Sequence, residues 1–189
     1  MASLIKNFLS KDEIKIFQNY CFEKLNKMDW TMTEQSFSPA WYKDPLMISL
    51  LNVKLPLVSE KSKIDLYPTY AYWRYYVFGG SLKQHVDRPS CEISVSCCIK
   101  KYDNWPIIVE GKKFELEEGD AVLYNGIFEK HERPGIYKGE GMAQVFLHYV
   151  NKNGLFKHHV DDNILKNKGI QLTKKDKQNI KEINKWKEK

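Results

Sequence analysis

The stretch EISVSCCIKKYDNWPIIVEGKKFELEEGDAVLY, residues 92–124, contains several short apolar segments separated by turn signals. The pairs Asp103-Asn104, Glu110-Gly111 and Gly119-Asp120 are typical of turns. Many short strands without helices between them indicate an antiparallel sandwich or barrel rather than a parallel α/β sheet. This stretch therefore predicts a mainly β fold.

The same pattern continues on both sides of this stretch. An aromatic run, TYAYWRYYVF at 69–78, ends at Gly79-Gly80 and predicts a strand. The full set of predicted strands is 69–78, 92–99, 106–109, 113–116, 121–124 and 142–150.

Two helices are predicted before the strands. Ser10 and Glu13 form a capping box, and apolar residues at spacings of three and four follow it as far as about Lys27. Asp44-Pro45 has the cap and first-turn proline of a second helix. We expect both helices to pack outside one sheet of the barrel.

Composition limits the class of protein. Of the 189 residues, 42% are apolar, which is enough for a core and excludes disorder over most of the chain. No stretch approaches the roughly 20 apolar residues of a membrane helix, and the N-terminus turns polar too early for a signal peptide. The four cysteines include no CxxC pair and fit reduced thiols. We therefore expect a soluble, cytoplasmic protein without a membrane partner.

The charge is concentrated at the end of the chain. Residues 1–150 hold 19 Lys+Arg and 19 Asp+Glu, whereas residues 151–189 hold 11 Lys and 5 Asp+Glu, which is the whole net charge of +6. The predicted organisation is one domain over 1–150, with its barrel core at about 66–150, and a partly helical, Lys-rich tail over 151–189. Nucleic-acid binding through that tail is an alternative, although the neutral body does not favour it.

Three residues suggest a metal centre. His85 and Asp87 lie two apart, so in an extended segment both side chains point to the same side. His131 would return to the same point if the intervening strands form one layer. Two histidines and one carboxylate on one face of an octahedral metal form the facial triad of non-haem Fe(II) oxygenases. The alternative is a hydrogen-bonded surface pair at His85 and Asp87, with His131 in a solvated turn.

The combination of motifs over about residues 66–150 resembles the 2-oxoglutarate- and Fe(II)-dependent oxygenases, in particular the prolyl-hydroxylase-like branch. The motifs that carry the resemblance, in the family's order, are WRYYVFGGSLKQHVDRP (73–89), CEISVS (91–96), WP (105–106), GDAVLY (119–124), HERP (131–134) and QVFLHY (144–149). The resemblance implies a double-stranded β-helix, a jelly-roll barrel. It also implies that the iron ligands are His85, Asp87 and His131, and that Tyr75 hydrogen-bonds the distal carboxylate of 2-oxoglutarate.

One family feature is missing. The position that usually carries an arginine or lysine for the 2-oxoglutarate carboxylate is Gly141 here. Strand parity places Arg133 on the same side as His131, and a guanidinium there can bind a carboxylate through two hydrogen bonds. The alternative is that Arg133 turns outward to a surface carboxylate. Gln144 and Lys138 are second choices for the same role.

The function implied by the resemblance is hydroxylation of a substrate C–H bond with Fe(II) as cofactor. 2-Oxoglutarate and O2 are consumed as co-substrates, and succinate and CO2 are released. Peptidyl proline, an amino acid, a small metabolite and a nucleobase all remain open as substrates, because substrate loops vary while the barrel persists. A barrel that retains the ligands without catalysis is a further alternative.

Overall fold

The computed structural model describes residues 2–27, 31–33 and 38–160, and the single positions 174 and 178. The predicted tail over 151–189, including its helical spacing at Ile180, Ile183 and Trp186, lies almost wholly outside the described residues. Within the described part of the chain, no helix is long and apolar enough to span a membrane.

Two helices and eleven strands form the described domain. The helices are α1 (Lys11–Asn26) and α2 (Pro45–Ser62). The strands are β1 (Ser3–Ile5), β2 (Thr31–Thr33), β3 (Ser38–Tyr42), β4 (Leu66–Tyr76), β5 (Ser81–His85), β6 (Ile93–Lys101), β7 (Ile107–Val109), β8 (Lys112–Phe114), β9 (Ala121–Tyr124), β10 (His131–Ile136) and β11 (Met142–Asn151).

The strands form two antiparallel sheets. The main sheet has the order β1-β9-β6-β11-β4-β3-β2, and the smaller sheet has the order β5-β10-β7-β8. The fold is the expected double-stranded β-helix. The six predicted strands are all present, with ends that differ by a few residues. The five further strands, β1, β2, β3, β5 and β10, are not among the six predicted strands, although the prediction of the site takes residues 85–87 and 131–133 as extended.

Both helices begin where the sequence predicts. Ser10 accepts a hydrogen bond from the Glu13 backbone N–H, and the Glu13 side chain accepts one from the Ser10 N–H. Asp44 caps α2 through the N–H groups of Leu46 and Met47. Each cap satisfies donors that have no partner inside the first turn of the helix.

The two helices cover one face of the main sheet. The core on this face combines residues of α1 and α2 with the odd-numbered side chains of the central strands, among them Trp73, Val145 and Cys97. Trp41 of β3 stacks on Trp73, with ring centroids 3.8 Å apart. All four cysteines are buried free thiols. Since successive side chains of a strand alternate, the even-numbered side chains point to the opposite face.

Candidate metal centre and anion pocket

His85 and His131 lie side by side on neighbouring strands of the smaller sheet. They are cross-strand partners of β5 and β10, and their ring centroids are 4.3 Å apart. Asp87 follows β5, and its backbone N–H donates to the Gly126 carbonyl. Its Oδ1 lies 3.6 Å from His85 Nε2 and 3.5 Å from His131 Nε2. The three residues singled out from the sequence therefore converge on one point.

Backbone carbonyl oxygens fix the orientation of both imidazole rings through the Nδ1 atoms. His85 Nδ1 lies 2.7 Å from the Lys83 carbonyl oxygen, and His131 Nδ1 lies 3.0 Å from the Glu129 carbonyl oxygen. A carbonyl oxygen only accepts, so each Nδ1 carries the proton that it donates. The lone pair of each neutral ring is then on Nε2, which faces Asp87. This is the backing that metal-binding histidines require.

Asp87 is held as a carboxylate. Burial raises its pKa, but the adjoining His131 and His85 rings outweigh this and hold the pKa below its ordinary value. For His85, burial lowers the pKa, but the contacts with Asp87 and the Lys83 carbonyl raise it by a larger amount, so the net shift is upward. A cation between Asp87 and the two Nε2 atoms would be stabilised by the carboxylate and by both lone pairs.

Gly126 allows the carboxylate of Asp87 to sit this close to the chain. A Cβ atom at position 126 would lie 2.7 Å from Asp87 Oδ2 and 2.8 Å from Ser94 Oγ, and closer still to the Cys91 carbonyl oxygen. Only a residue without a side chain fits there.

A second group of possible ligands shares Asp87. The sulfur of Cys91 and a ring nitrogen of His148 lie close to its carboxylate. These atoms already have partners: Tyr70 Oη is 3.0 Å from Cys91 Sγ, and Ser94 Oγ is 2.9 Å from His148 Nδ1. Burial also raises the pKa of the Cys91 thiol, which disfavours the thiolate that metals bind. The group of His85, Asp87 and His131 is therefore the better metal site of the two.

Arg133 lies inside the barrel, two residues after His131. Its side chain is only 3% exposed. One Nη donates to the Trp105 carbonyl oxygen, whereas Nε and the other Nη have no hydrogen-bond partner among the described residues. Burial lowers the pKa of this guanidinium. A buried cation with two free donors is unfavourable unless an anion joins it.

The surroundings of Arg133 are aromatic with a few polar atoms. Its guanidinium carbon lies 5.2 Å from the Trp105 ring centroid and 5.9 Å from that of Tyr76. Gln144 Nε2 and Tyr76 Oη are buried and also have no hydrogen-bond partner within the described ranges. The oxygen of the Gln144 amide lies 3.4 Å from Ser96 Oγ. Arg133 and Gln144 thus both point unsatisfied donors into the space between the sheets.

The expected position of Tyr75 beside the co-substrate is not what the structure shows. Tyr75 belongs to the odd-numbered face of β4 and packs against the helix-covered core. Its hydroxyl lies over Gly141, where an added Cβ would collide with it. Tyr76, the next residue, faces Arg133 instead. Strand parity could have revealed this, because Tyr75 shares the parity of the core residue Trp73.

Lys138, the other second choice for the carboxylate, is exposed.

Two functional candidates were missed from the sequence, Tyr76 and Arg74. Both share the parity of the pocket-facing side of β4, and that was the available signal. Ser94 of β6 also lies on this side, since its Oγ is 3.4 Å from Asp87 Oδ2.

The fold is that of the 2-oxoglutarate- and Fe(II)-dependent oxygenases. No family model matches the sequence, and a comparison with curated proteins finds no match. The structural likeness, in contrast, extends over most of the chain.

Three solved structures illustrate this likeness. The α-ketoglutarate-dependent epimerase SnoN from nogalamycin biosynthesis has a TM-score of 0.68 at 8% identity and covers 79% of this chain and 76% of its own. A Pseudomonas putida prolyl-4-hydroxylase has a TM-score of 0.63 at 13% identity, with 79% and 92% covered. EctD from S. alaskensis has a TM-score of 0.64 at 16% identity, with 79% and 72% covered. At these identities the likeness establishes the fold alone.

Proposed function

We propose that this protein is a non-haem Fe(II) oxygenase that uses 2-oxoglutarate and hydroxylates a C–H bond of its substrate. One observation carries the proposal: His85, Asp87 and His131 present two oriented Nε2 atoms and one carboxylate oxygen to a single point beside a buried, unsatisfied arginine. Solved proteins of the same fold give support, since SnoN was solved with Fe3+ and α-ketoglutarate and EctD with 2-oxoglutarate.

The donor set fits Fe(II). Two imidazoles and one carboxylate neutralise part of a divalent charge and occupy one face of the metal, which leaves the other positions for a co-substrate and dioxygen. The Asp87–His85 and Asp87–His131 distances need shorten only slightly for each atom to approach a metal at about 2.0–2.2 Å. Fe(II) would supply dioxygen activation, by which 2-oxoglutarate becomes succinate and CO2 while one oxygen atom enters the substrate.

Arg133 is the proposed partner of the distal carboxylate of 2-oxoglutarate. Its free Nε and Nη groups match the two oxygens of a carboxylate. The rings of Trp105 and Tyr76 keep water away from this ion pair and thereby strengthen it. Gln144 offers an additional donor nearby. We do not assign Tyr75 to this pocket, because it lies on the other face of the sheet.

The test is a substrate screen with iron-loaded protein. Purified protein with Fe(II), 2-oxoglutarate and ascorbate is incubated with pooled amino acids, small metabolites and proline-containing peptides. Mass spectrometry is then used to find a product heavier by one oxygen atom, and succinate is measured in parallel. We expect succinate formation that stops in Asp87→Ala. If the wild-type protein forms no succinate above that variant, even slowly without substrate, the barrel is not catalytic and the proposal fails.

A further inference from the structure

A second buried arginine, Arg74, faces the same side of the main sheet. It lies on β4 directly across from Gln144 of β11 and is only 5% exposed. One Nη donates to Tyr72 Oη over 3.0 Å. Its Nε has no hydrogen-bond partner, and no carboxylate among the described residues forms an ion pair with it.

Arg74 and Arg133 both adjoin the same aromatic ring. The ring centroid of Tyr76 lies 5.4 Å from the Arg74 guanidinium carbon and 5.9 Å from that of Arg133. Two buried cations beside one ring repel each other, and the three proposed metal ligands include only one carboxylate. The pocket is therefore complementary to more negative charge than a single distal carboxylate supplies.

The two arginines differ in their access to solvent. Arg133 is enclosed by Trp105 and Tyr76, both of which are buried. Arg74 adjoins Tyr72, which is half-buried and whose ring lies 6.1 Å from that of the half-buried Phe146. These two rings form a partly exposed aromatic edge next to the free Nε of Arg74. Arg74 therefore lies beside partly exposed aromatic surface, whereas the aromatic rings beside Arg133 are buried.

We propose that Arg74 binds a carboxylate of the molecule that is oxidised, so that the substrate is a small carboxylic acid with an apolar body. The carboxylate pairs with Arg74, and the apolar body lies against Tyr72 and Phe146. This inference rests on the proposed function, because it assigns the other anion of the pocket to 2-oxoglutarate. Arg74 thereby becomes a residue that determines substrate specificity.

The experiment uses cyclohexanecarboxylate and its neutral analogue cyclohexanecarboxamide as probes. Full-length protein is first loaded with Mn(II), which is paramagnetic and does not turn over, and with saturating 2-oxoglutarate. Binding of each probe is then followed by the relaxation that Mn(II) causes in the probe's protons, which responds only near the metal. We compare the wild type with Arg74→Gln, Arg74→Lys and, as a matched buried arginine, Arg133→Gln.

We expect the wild type to bind the carboxylate at least about tenfold more tightly than the amide, because the neutral amide cannot form a charge-assisted ion pair with Arg74. Arg74→Gln should lose this preference and keep its affinity for 2-oxoglutarate, whereas Arg74→Lys should keep part of it. Arg133→Gln should show the reverse, with weaker 2-oxoglutarate binding and an intact preference. Circular dichroism establishes that each variant is folded.

Two results would overturn the inference while leaving the proposed function standing. The first is equal binding of the two probes to the loaded wild type. The second is a loss of 2-oxoglutarate affinity in Arg74→Gln with the probe preference unchanged, which would make Arg74 the co-substrate residue. If the wild type takes up neither Mn(II) nor 2-oxoglutarate in the loading step, the proposed function and this inference fail together.

Discussion

The two faces of the main sheet differ in almost every physical respect, although the same strands build both. Cys97 and Val145 on the odd-numbered face lie in an apolar core under the helices. Their neighbours Cys98 and Gln144 point the other way, toward the side where Arg133 lies. Because side chains alternate along a strand, one segment of sequence can stabilise the fold on one side and carry chemistry on the other.

The two faces also differ in how many of their buried polar atoms have hydrogen-bond partners. The helix-covered face consists mainly of apolar groups, whose burial needs no partner, although Trp73 Nε1 on this face is buried without one in the described structure. On the other side, buried nitrogens of Arg74 and Gln144, and of Arg133 on the facing sheet, have no hydrogen-bond partners among the described residues. Buried polar atoms without partners are rare in native proteins, and here they lie beside a group of metal-type ligands. This face is complementary to ligands, and substitutions on it should affect binding more than stability.

The largest expected effect is that of Asp87→Ala. It removes the only carboxylate of the proposed triad and leaves two neutral imidazoles. Metal binding should be lost. The melting temperature of the metal-free protein should fall modestly at neutral pH, because the lowered pKa of Asp87 means that its ionised carboxylate contributes to folding stability. Equilibrium dialysis against Fe(II) without oxygen measures the first quantity, and circular dichroism the second. Stoichiometric iron in this variant would place the metal elsewhere.

Arg133→Gln should weaken 2-oxoglutarate binding by about 100-fold, since the loss of one partner from a buried charge pair costs about 2–5 kcal/mol. Metal affinity should hardly change, because Arg133 is not a ligand. Arg133→Lys should restore only part of the loss, since a point charge does not reproduce the planar fork. Calorimetric titration of the metal-free protein with Mn(II), and then of the Mn(II)-loaded protein with 2-oxoglutarate, gives the two affinities. An unchanged affinity in Arg133→Gln would remove this residue from the pocket.

Gly126→Ala should lower metal affinity by about 10- to 100-fold, the range found when groups that orient ligands are disturbed. The new methyl group would displace the Asp87 carboxylate. Gly111→Ala is the control, because Gly111 has φ +75° and open space around its Cα. That variant should cost about 1 kcal/mol of stability from backbone strain and leave metal affinity unchanged. Similar metal affinities in the two variants would contradict the role of Gly126.

Serine substitutions of the adjacent residues Cys97 and Cys98 compare the stability of the two faces directly. Cys97→Ser places a hydroxyl in the apolar core and should lower the free energy of unfolding by about 1–3 kcal/mol. Cys98 is also buried, in an apolar cluster with Ile107 and Val109, but the Gln144 amide is within reach of position 98. Cys98→Ser should therefore cost less than Cys97→Ser, by about 1 kcal/mol. Urea denaturation of both variants measures the difference. Equal losses would mean that the two faces are not as different as the structure indicates.

Much of the fold could be predicted from the sequence because its signals are local. The capping box at Ser10, the Asp44-Pro45 start of α2 and the turn pairs between strands depend on near neighbours along the chain. The strands that were missed lack such signals. β1 and β2 have three residues each, and β10 contains Pro134 and Gly135, which are depleted in strands.

For the site, convergence of His85, Asp87 and His131 was foreseeable, and the interior position of Arg133 followed from strand parity. Tyr75 was misplaced because a family position was transferred without testing its parity against Trp73. Arg74 was missed because its significance depends on burial and on the absence of a described carboxylate partner, which are properties of three-dimensional packing.

We expect the metal to be held by His85, Asp87 and His131 and not by the neighbouring group of Asp87, Cys91 and His148. Mn(II) is titrated into the wild type, His131→Ala and His148→Ala, and free Mn(II) is measured by electron paramagnetic resonance. We expect one bound ion per chain in the wild type and in His148→Ala, and none in His131→Ala. Binding that survives in His131→Ala and disappears in His148→Ala would contradict it.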